Sequence, residues 1–450
     1  MLRMTRVILW IGDMEATIRL SDFEWLGFDM DHTLVQYINE NLTSLCYESC
    51  IDYLTSKRGY DPRIRELCLL PTLIIKGTVA DKHLGNFLKL DHRRMVIGAT
   101  HGKSALSQDD IQQIYPEPLP FCGTTTPRFW LCTSQFEVPF MHAYASLVSW
   151  ADGRLGSTSD TQRLYERIYR DVLRSIVFSF TDWNDSFYLK ELFRHPQKYV
   201  DDCSKTRDWL VNLRKKGVKL FLVTNSDQRY THSLMPICFG SEWETLFDII
   251  VVSARKPHFW VQDETPFYCC DTKQVVEVKS DTMLVGGNSR HLSDYLDATT
   301  CKIGYVGDDL MSDLLIQKGH SGWRTIAVID ELHWMDNQHP VFGSLFFDDS
   351  KLSYWGAVYH HYSDLYVPSV SQLARLDIDT AYLTHRVSEC GLDESNVGPI
   401  LPFDKNAHPD MDIAVPQHSD VAAASRYITE QLQAIESDDD VFSILLTAKS

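Results

Sequence analysis

Four short apolar runs along the chain each end in a cluster of polar residues. Trp25-Leu-Gly-Phe28 leads into Asp29-Met-Asp31-His-Thr33, and Val218-Lys-Leu-Phe-Leu-Val223 leads into Thr224-Asn225-Ser226. Phe247-Asp-Ile-Ile-Val-Val252 precedes Ala254-Arg-Lys256-Pro257. Lys302-Ile-Gly-Tyr-Val306 precedes Gly307-Asp308-Asp309-Leu-Met-Ser-Asp313. Short runs that are apolar on nearly every position predict strands covered on both faces, as in a parallel sheet. Between them, apolar residues recur at helical spacing. The segment 203–216, closed by Gly217, and the segment 228–246 predict helices that return the chain to the second and third strands. Asn288 or Ser289 caps a helix through Leu296, and a short helix is expected over 314–319. Arg324-Thr-Ile-Ala-Val-Ile-Asp330 is expected to be the last strand of the sheet. This alternation predicts an α/β, Rossmann-like fold: a mostly parallel sheet flanked by helices. In such sheets ligands bind beyond the carboxyl ends of the strands, where all four polar clusters fall.

The long stretch 35–200 has a different texture. Leu42, Leu45, Cys46, Cys50, Tyr53 and Leu54 mark a helix that Gly59 ends, with Cys46 and Cys50 an i, i+4 pair on its apolar face rather than a metal site. Leu73-Ile-Ile75, Asn86-Phe-Leu-Lys-Leu90 and Met95-Val-Ile97 predict short strands of a small meander outside the main sheet. The segment 112–121, with Pro116, Pro118 and Pro120, predicts a loop. Helices are expected over 140–148 and 161–180, the second with Leu164, Ile168, Val172, Leu173 and Ile176 on one face. His83, His92 and His101 are not at metal-ligand spacing and read as structural or solvent-facing. Later in the chain, 267–270 and 274–278 predict a hairpin, and the aromatic-rich segments 342–349 and 352–366 are expected to pack on the core. Beyond 376 the chain turns polar. Residues 385–420 are expected to be poorly ordered, 418–435 to form a short Ala-rich helix, and Asp438 to Asp440 to be solvated.

Composition narrows the function classes. The 450-residue chain is long enough for two or three domains and carries a net charge of −18. That balance argues against a nucleic-acid polymer or an anionic membrane as partner, since both need a basic surface. It leaves an anionic small molecule open, because a local lysine and metal dominate the field at a site. The 11 cysteines are scattered with no CxxC, which reads as free thiols in a reducing compartment. Val7-Ile-Leu-Trp-Ile11 is too short for a signal h-region, and no run approaches 18 apolar residues. A cytoplasmic location is expected, and a homo-oligomer is compatible with the sequence.

Asp29 and Asp31 lie two apart, so an extended backbone turns both carboxylates to one side. Carboxylates that close repel each other, and a bound cation is the usual reason for both to stay ionised. Acid pair, hydroxyl and amide, lysine, second acid cluster: in this order the motifs resemble those of the haloacid dehalogenase superfamily of phosphohydrolases. Gly27-Phe-Asp-Met-Asp-His-Thr-Leu34, Phe247-Asp-Ile-Ile-Val-Val252 with Ala254-Arg-Lys-Pro257, and Tyr305-Val-Gly-Asp308 are similar to its cytosolic 5′-nucleotidase branch, over about residues 22–375.

The resemblance implies a core of 22–34 and 201–375, a cap domain of 35–200 inserted between the first two motifs, a variable extension of 1–21 and a C-terminal tail of 376–450. It implies that Asp29 is the nucleophile, forming an aspartyl-phosphate. Asp31 would be the general acid for the leaving alcohol and then the base for water. Mg²⁺ would be held by Asp29, the main-chain carbonyl of Asp31, and Asp308. Thr224 and Asn225 would bind the phosphoryl oxygens, and Lys256 would neutralise them. Asp313 would orient Lys256 or a metal-bound water. The acid–four residues–acid spacing of the branch selects Asp308 and Asp313, and leaves open whether Asp309 contributes to the metal site.

One departure bears on the substrate. Purine-specific members carry an Asp-Val-Arg pattern on a cap helix, with an acid one turn later. Here the comparable stretch is Asp171-Val-Leu-Arg174, followed by Val177 and Phe178. The expected function remains that of a Mg²⁺-dependent phosphomonoesterase resembling a 5′-nucleotidase, hydrolysing a nucleoside monophosphate through an aspartyl-phosphate, although this departure supports the catalytic core better than a nucleotide substrate. The rivals are a phosphatase of another small phosphate ester and a non-catalytic binding or scaffold protein on the same fold.

Overall fold

The computed structural model describes residues 17–70, 73–120, 125–155, 160–280, 283–334, 342–348, 351–383 and 416–433. The acidic run at 438–440 and most of 385–420 lie outside the described residues. The main sheet has nine strands, in the order Val275–Val276, Phe267–Cys269, Met283–Gly286, Ile249–Val252, Lys219–Val223, Trp25–Phe28, Ile303–Gly307, Arg324–Val328, Leu365–Val367. All neighbours pair in parallel except at the Phe267–Cys269 strand, which is antiparallel to both of its neighbours. The α/β, mostly parallel architecture expected from the four apolar runs is the one observed.

Side chains alternate across this sheet and build the core on both faces. Leu26, Phe28, Leu220, Leu222, Ile250, Val252 and Val306 join one buried cluster, while Trp25, Phe221, Val223, Ile249, Val251 and Tyr305 join the other. The central strand Trp25–Phe28 is buried throughout. Its register sets Phe28 level with Leu222 on one side and Val306 on the other, so the chain leaves three strands at a single edge. Gly27 is required there: a Cβ at this position would lie 2.2 Å from the Phe221 ring.

The inserted stretch supplies two layers. Helices Asn39–Ser56, Glu137–Asp152 and Thr161–Thr181 pack on one another and join the first cluster. A separate five-stranded antiparallel sheet runs Ser104–Ala105, Val96–His101, Asn86–Leu90, Val79–Asp81, Phe129–Leu131. It too is two-faced: Ala80, Phe87 and Trp130 meet the helices, while Val79, Leu88, Phe129 and Leu131 join the second cluster with Tyr354, Trp355 and Tyr359. The aromatic segment near 355 is thus core, as expected. Helix His418–Gln433 packs against the Thr161–Thr181 helix. No helix among the described residues is long and apolar enough to cross a membrane.

Several local expectations are corrected. Arg324–Val328 is not the last strand: Leu365–Val367 pairs outside it. Met283–Gly286, unforeseen, inserts between the hairpin and the Ile249–Val252 strand. Residues 73–75 form no strand, because Thr78 turns the chain there by donating both its N–H (3.1 Å) and its hydroxyl (2.7 Å) to the Ile75 carbonyl. The segment begun at Gln112 is partly helical: Gln108–Ile114 starts at a Ser107/Asp110 capping box, a spacing readable in the sequence.

The new edge strand is tied to its neighbour by one carboxylate. Asp364 accepts from Lys318 (2.6 Å), Arg324 (2.6 Å) and the Thr325 N–H (2.9 Å). Burial opposes its charge, but these partners outweigh burial and hold the carboxyl below the ordinary range. A depressed carboxyl stabilises the fold above its unfolded pKa, and that contribution is lost as pH falls through the folded value. Asp364→Asn should cost about 2 kcal/mol at neutral pH. In urea denaturation, the gap from the parent should narrow as pH drops below about 4.

Candidate active site

The polar clusters meet at the edge where the central strands end. The Asp29 N–H donates to the Val306 carbonyl at 2.9 Å, so strand pairing continues up to this residue. Its Oδ1 accepts from the Met30 N–H at 2.8 Å and lies 2.9 Å from Lys256 Nζ. The same ammonium lies 2.7 Å from Asp313 Oδ1 and donates to the Tyr305 hydroxyl at 3.0 Å. Tyr305 in turn donates to the Val223 carbonyl at 3.1 Å. Lys256 and Asp313 are almost fully buried, while Asp29 keeps 13% of its side chain exposed. Of this trio only Asp29 is open to an incoming molecule.

Local structure aims each group. The Asn225 amide clamps the Lys256 backbone, accepting from its N–H (2.5 Å) and donating to its carbonyl (2.9 Å). The turn before Lys256 holds Ser253 (φ 49°) and Arg255 (φ 61°) in the left-handed region, where side chains are uncommon and function often concentrates. Asp313 sits in a π-helix, Leu310–Ile316, a rare form frequent at functional sites. Gly307 allows its approach, since a Cβ there would come 2.4 Å from the Asp313 Cβ. Asp309 caps that helix through the Met311 and Ser312 N–H groups, at 3.0 and 2.7 Å.

Asp31 is tethered beside Asp29. It accepts from the Tyr37 hydroxyl (2.5 Å) and the Ser226 hydroxyl (2.7 Å), and a chain of hydroxyls continues from Tyr37 through Tyr230 to Tyr188. Thr224 Oγ1 accepts from the Ser226 N–H at 3.1 Å, which fixes the turn that follows its strand. Thr33 donates to Asp308 at 3.5 Å. Next to Asp31, His32 has a left-handed backbone (φ 52°) and packs against the Phe136 and Tyr37 rings. Its Nε2 has no hydrogen-bond partner among the described residues, and burial pushes its pKa down to about 3, so the ring is neutral.

The electrostatics of the cluster are unbalanced toward negative charge. Burial raises Asp29, Asp308 and Asp313 alike, and their mutual repulsion adds to it. Burial works against the Lys256 charge, but Asp29 and Asp313 outweigh it and hold the ammonium well above its ordinary pKa. Carboxylate oxygens of Asp29, Asp308 and Asp313 all lie within 4.8 Å of one another. Three hard oxygen donors converging with an excess of negative charge fit a divalent cation such as Mg²⁺. Burial also raises Asp31, against the bonds from Tyr37 and Ser226.

The structure brings together Asp29, Lys256, Asp308 and Asp313, with Asp31, Thr224 and Asn225 at their margin. Asp309 is turned to the helix cap instead. Sequence reading missed Tyr305, Ser226, Tyr37 and Lys76. Tyr305 carried a readable signal, a polar tip inside an otherwise apolar strand; Lys76, buried after Leu73-Ile-Ile75, carried another.

Removing the ammonium should expose the imbalance. Lys256→Met leaves buried acids without their cation, an arrangement that costs about 3–5 kcal/mol. Acids with raised folded pKa values bind more protons folded than unfolded, so the variant gains stability as pH falls. Urea denaturation in metal-free buffer should show a larger deficit at pH 8 than at pH 5. Gly307→Ala should displace Asp313 and cost about 1–3 kcal/mol by overpacking, read in the same experiment.

The profile of the 5′ nucleotidase family matches residues 14–336. The chain is 27% identical over 340 residues to 5′-nucleotidase domain-containing protein 1 of Homo sapiens, covering 71% of this chain and 74% of that protein. It is 25% identical over 426 residues to the protein of the same name from Bos taurus, covering 81% and 93%. Among solved structures, the L-2-haloacid dehalogenase of Xanthobacter autotrophicus aligns with 78% of this chain and 97% of its own, at 10% identity and a TM-score of 0.28. A profile that spans most of the chain, over the residues of all four strand-end motifs, assigns it: this protein belongs to the 5′ nucleotidase family.

Proposed function

We propose that the chain is a Mg²⁺-dependent phosphomonoesterase that hydrolyses a nucleoside monophosphate through an aspartyl-phosphate on Asp29. One observation carries this reading: Lys256 is buried between Asp29 and Asp313, at the strand ends, with the Asp308 carboxylate in the same cluster. A phosphoryl dianion approaching Asp29 needs positive charge on its oxygens and a proton for the leaving alcohol. Asp29 attacks phosphorus, forming an O–P bond as the ester O–P bond breaks. Asp31, on the same side and raised by burial, gives its proton to the leaving oxygen. It then takes a proton from the water that cleaves the acyl phosphate, which releases phosphate and restores Asp29. Lys256 neutralises phosphoryl oxygens, and Thr224 with Asn225 borders them. Asp313 and the Asn225 clamp hold Lys256 in place. Mg²⁺ on Asp29, the Asp31 carbonyl and Asp308 would offset the repulsion between carboxylate and phosphate. We assign 35–200 the role of the cap that shields this site from water.

A second reading, another small phosphate ester, is favoured by one feature. Asp171, fully buried, accepts from Arg58 (3.0 Å), Tyr60 (2.9 Å), Arg167 (3.3 Å) and Arg174 (3.2 Å). The stretch comparable to the purine-reading helix is thus locked in its own ion-pair network. Phosphate release from a panel of nucleoside monophosphates and sugar phosphates, with and without Mg²⁺, separates the readings. Release should require Mg²⁺ and should fall at least about 1,000-fold in Asp29→Asn. Folded protein that releases nothing from any compound would sink the enzyme reading; sugar phosphates outrunning nucleotides would install the second.

A further inference from the structure

The small antiparallel sheet reaches the acid cluster. Its strands Val79–Asp81 and Phe129–Leu131 pair with Val79 opposite Leu131. Pairing continues past the strands: the Gly77 N–H donates to the Cys132 carbonyl at 2.8 Å, and the Cys132 N–H to the Thr78 carbonyl at 3.0 Å. This extension carries Lys76 and Thr133 onto the loop that follows the Ile303–Gly307 strand. Lys76 Nζ donates to the Asp308 carbonyl at 3.4 Å and lies 3.3 Å from Glu331. Thr133 Oγ1 lies 2.8 Å from Asp309 Oδ2, and the Thr133 carbonyl accepts from the Leu310 N–H at 3.2 Å. Three consecutive residues, 308 to 310, are therefore gripped by one edge of the inserted sheet.

The hydroxyl proton has two claimants. Glu137 Oε2 lies 3.1 Å from Thr133 Oγ1 but already accepts the Thr133 N–H at 2.7 Å. The shorter hydroxyl contact, and so the stronger claim on the single proton, is that of Asp309.

The same sheet is anchored to the catalytic side of the molecule at several other points. Lys89, buried, donates to the carbonyls of Phe342 and of Ser344, the latter at 2.7 Å. Trp355 Nε1 donates to the Gly77 carbonyl at 2.9 Å, and Gly77 adopts φ +85° with no room for a Cβ against the Trp355 ring. Asp91 bridges to Ser353. Lifting this sheet would strip two buried ammonium groups of their acceptors, a large penalty for a motion made every turnover.

We propose that the small sheet is a fixed wall of the active site rather than a moving lid, and that Lys76 and Thr133 at its edge are positioning residues for the loop carrying Asp308. The inference deepens the phosphohydrolase reading and rests on it only for the role of Asp308. Groups that hold a ligating residue from behind commonly change metal affinity 10- to 100-fold when removed.

The test uses the full chain with Thr133→Val, which keeps the shape and loses the hydroxyl, and Thr133→Ser, which restores it. Mg²⁺ titration by calorimetry should show about tenfold weaker binding in the valine variant and recovery in the serine variant. Hydrogen exchange of peptides covering 304–316 should quicken in the valine variant alone. Peptides covering 76–90 and 353–358 should exchange slowly in the parent, equally with and without Mg²⁺ and inorganic phosphate. Unchanged Mg²⁺ binding together with unchanged exchange at 304–316 would overturn the positioning role. Fast exchange at the 76–90 docking edge that slows only with phosphate would overturn the fixed wall and make the sheet a lid. A parent that binds no Mg²⁺ would instead count against the phosphohydrolase reading, while the exchange data would still decide the wall.

Discussion

The structure depends on a lysine ammonium buried among carboxylates. Lys256 reaches this position only because charge, backbone and space are arranged around it together. Asp29 and Asp313 offset the loss of water around the ammonium, and Tyr305 fills a third donor position. Asn225 fixes the Lys256 backbone from the neighbouring strand end. Gly307 omits the carbon that would push Asp313 away. Three strand ends are thereby bound to one another by a single cation and a fourth through its backbone, and the parallel register of the sheet becomes a requirement of the site as well as of the core. A slip of one residue would exchange the side chains packed on the two faces of the sheet and separate the charges at once.

How much of this was legible follows from which interactions are local. The four central strands are continuous apolar runs, and a chain segment of that kind has few other places to go. Asp29, Lys256, Asp308 and Asp313 each follow such a run closely, so their convergence was readable from strand order alone. The edge strands were harder. Met283–Gly286 is short and half-exposed, and Leu365–Val367 lies far along the chain from its neighbour. Their pairing is decided by tertiary partners such as Asp364, which no local pattern announces. Residues 73–75 carried a strand-like apolar pattern, and the Thr78 side chain overrode it.

The site residues that sequence reading missed share a physical character. Ser226, Tyr37 and Tyr305 act by holding another residue, and a hydroxyl in that role has no distinctive spacing. Asp309 illustrates the converse. Its place in an acid cluster made it a metal-site candidate, yet both N–H groups of the following turn point at it, and the Thr133 hydroxyl takes its other oxygen. An aspartate with both oxygens engaged in shaping a helix start has little left for a cation. The helix-capping preference of aspartate and its metal-binding chemistry draw on the same lone pairs.

Charge balance at the cluster is shared between distant parts of the chain. Lys256 comes from the core and neutralises Asp29 and Asp313. Lys76 comes from the inserted stretch and is the cation that most opposes the raised pKa of Asp308. Each lysine is held by its own acceptors. The core folded without the insert would bring Asp308 to the cluster without that opposing charge. The inserted stretch is thus more than a cover over a finished site. By supplying Lys76 it places a cation against the fourth motif, which ties the sheet edge to the docking of a segment that contributes none of the four motifs.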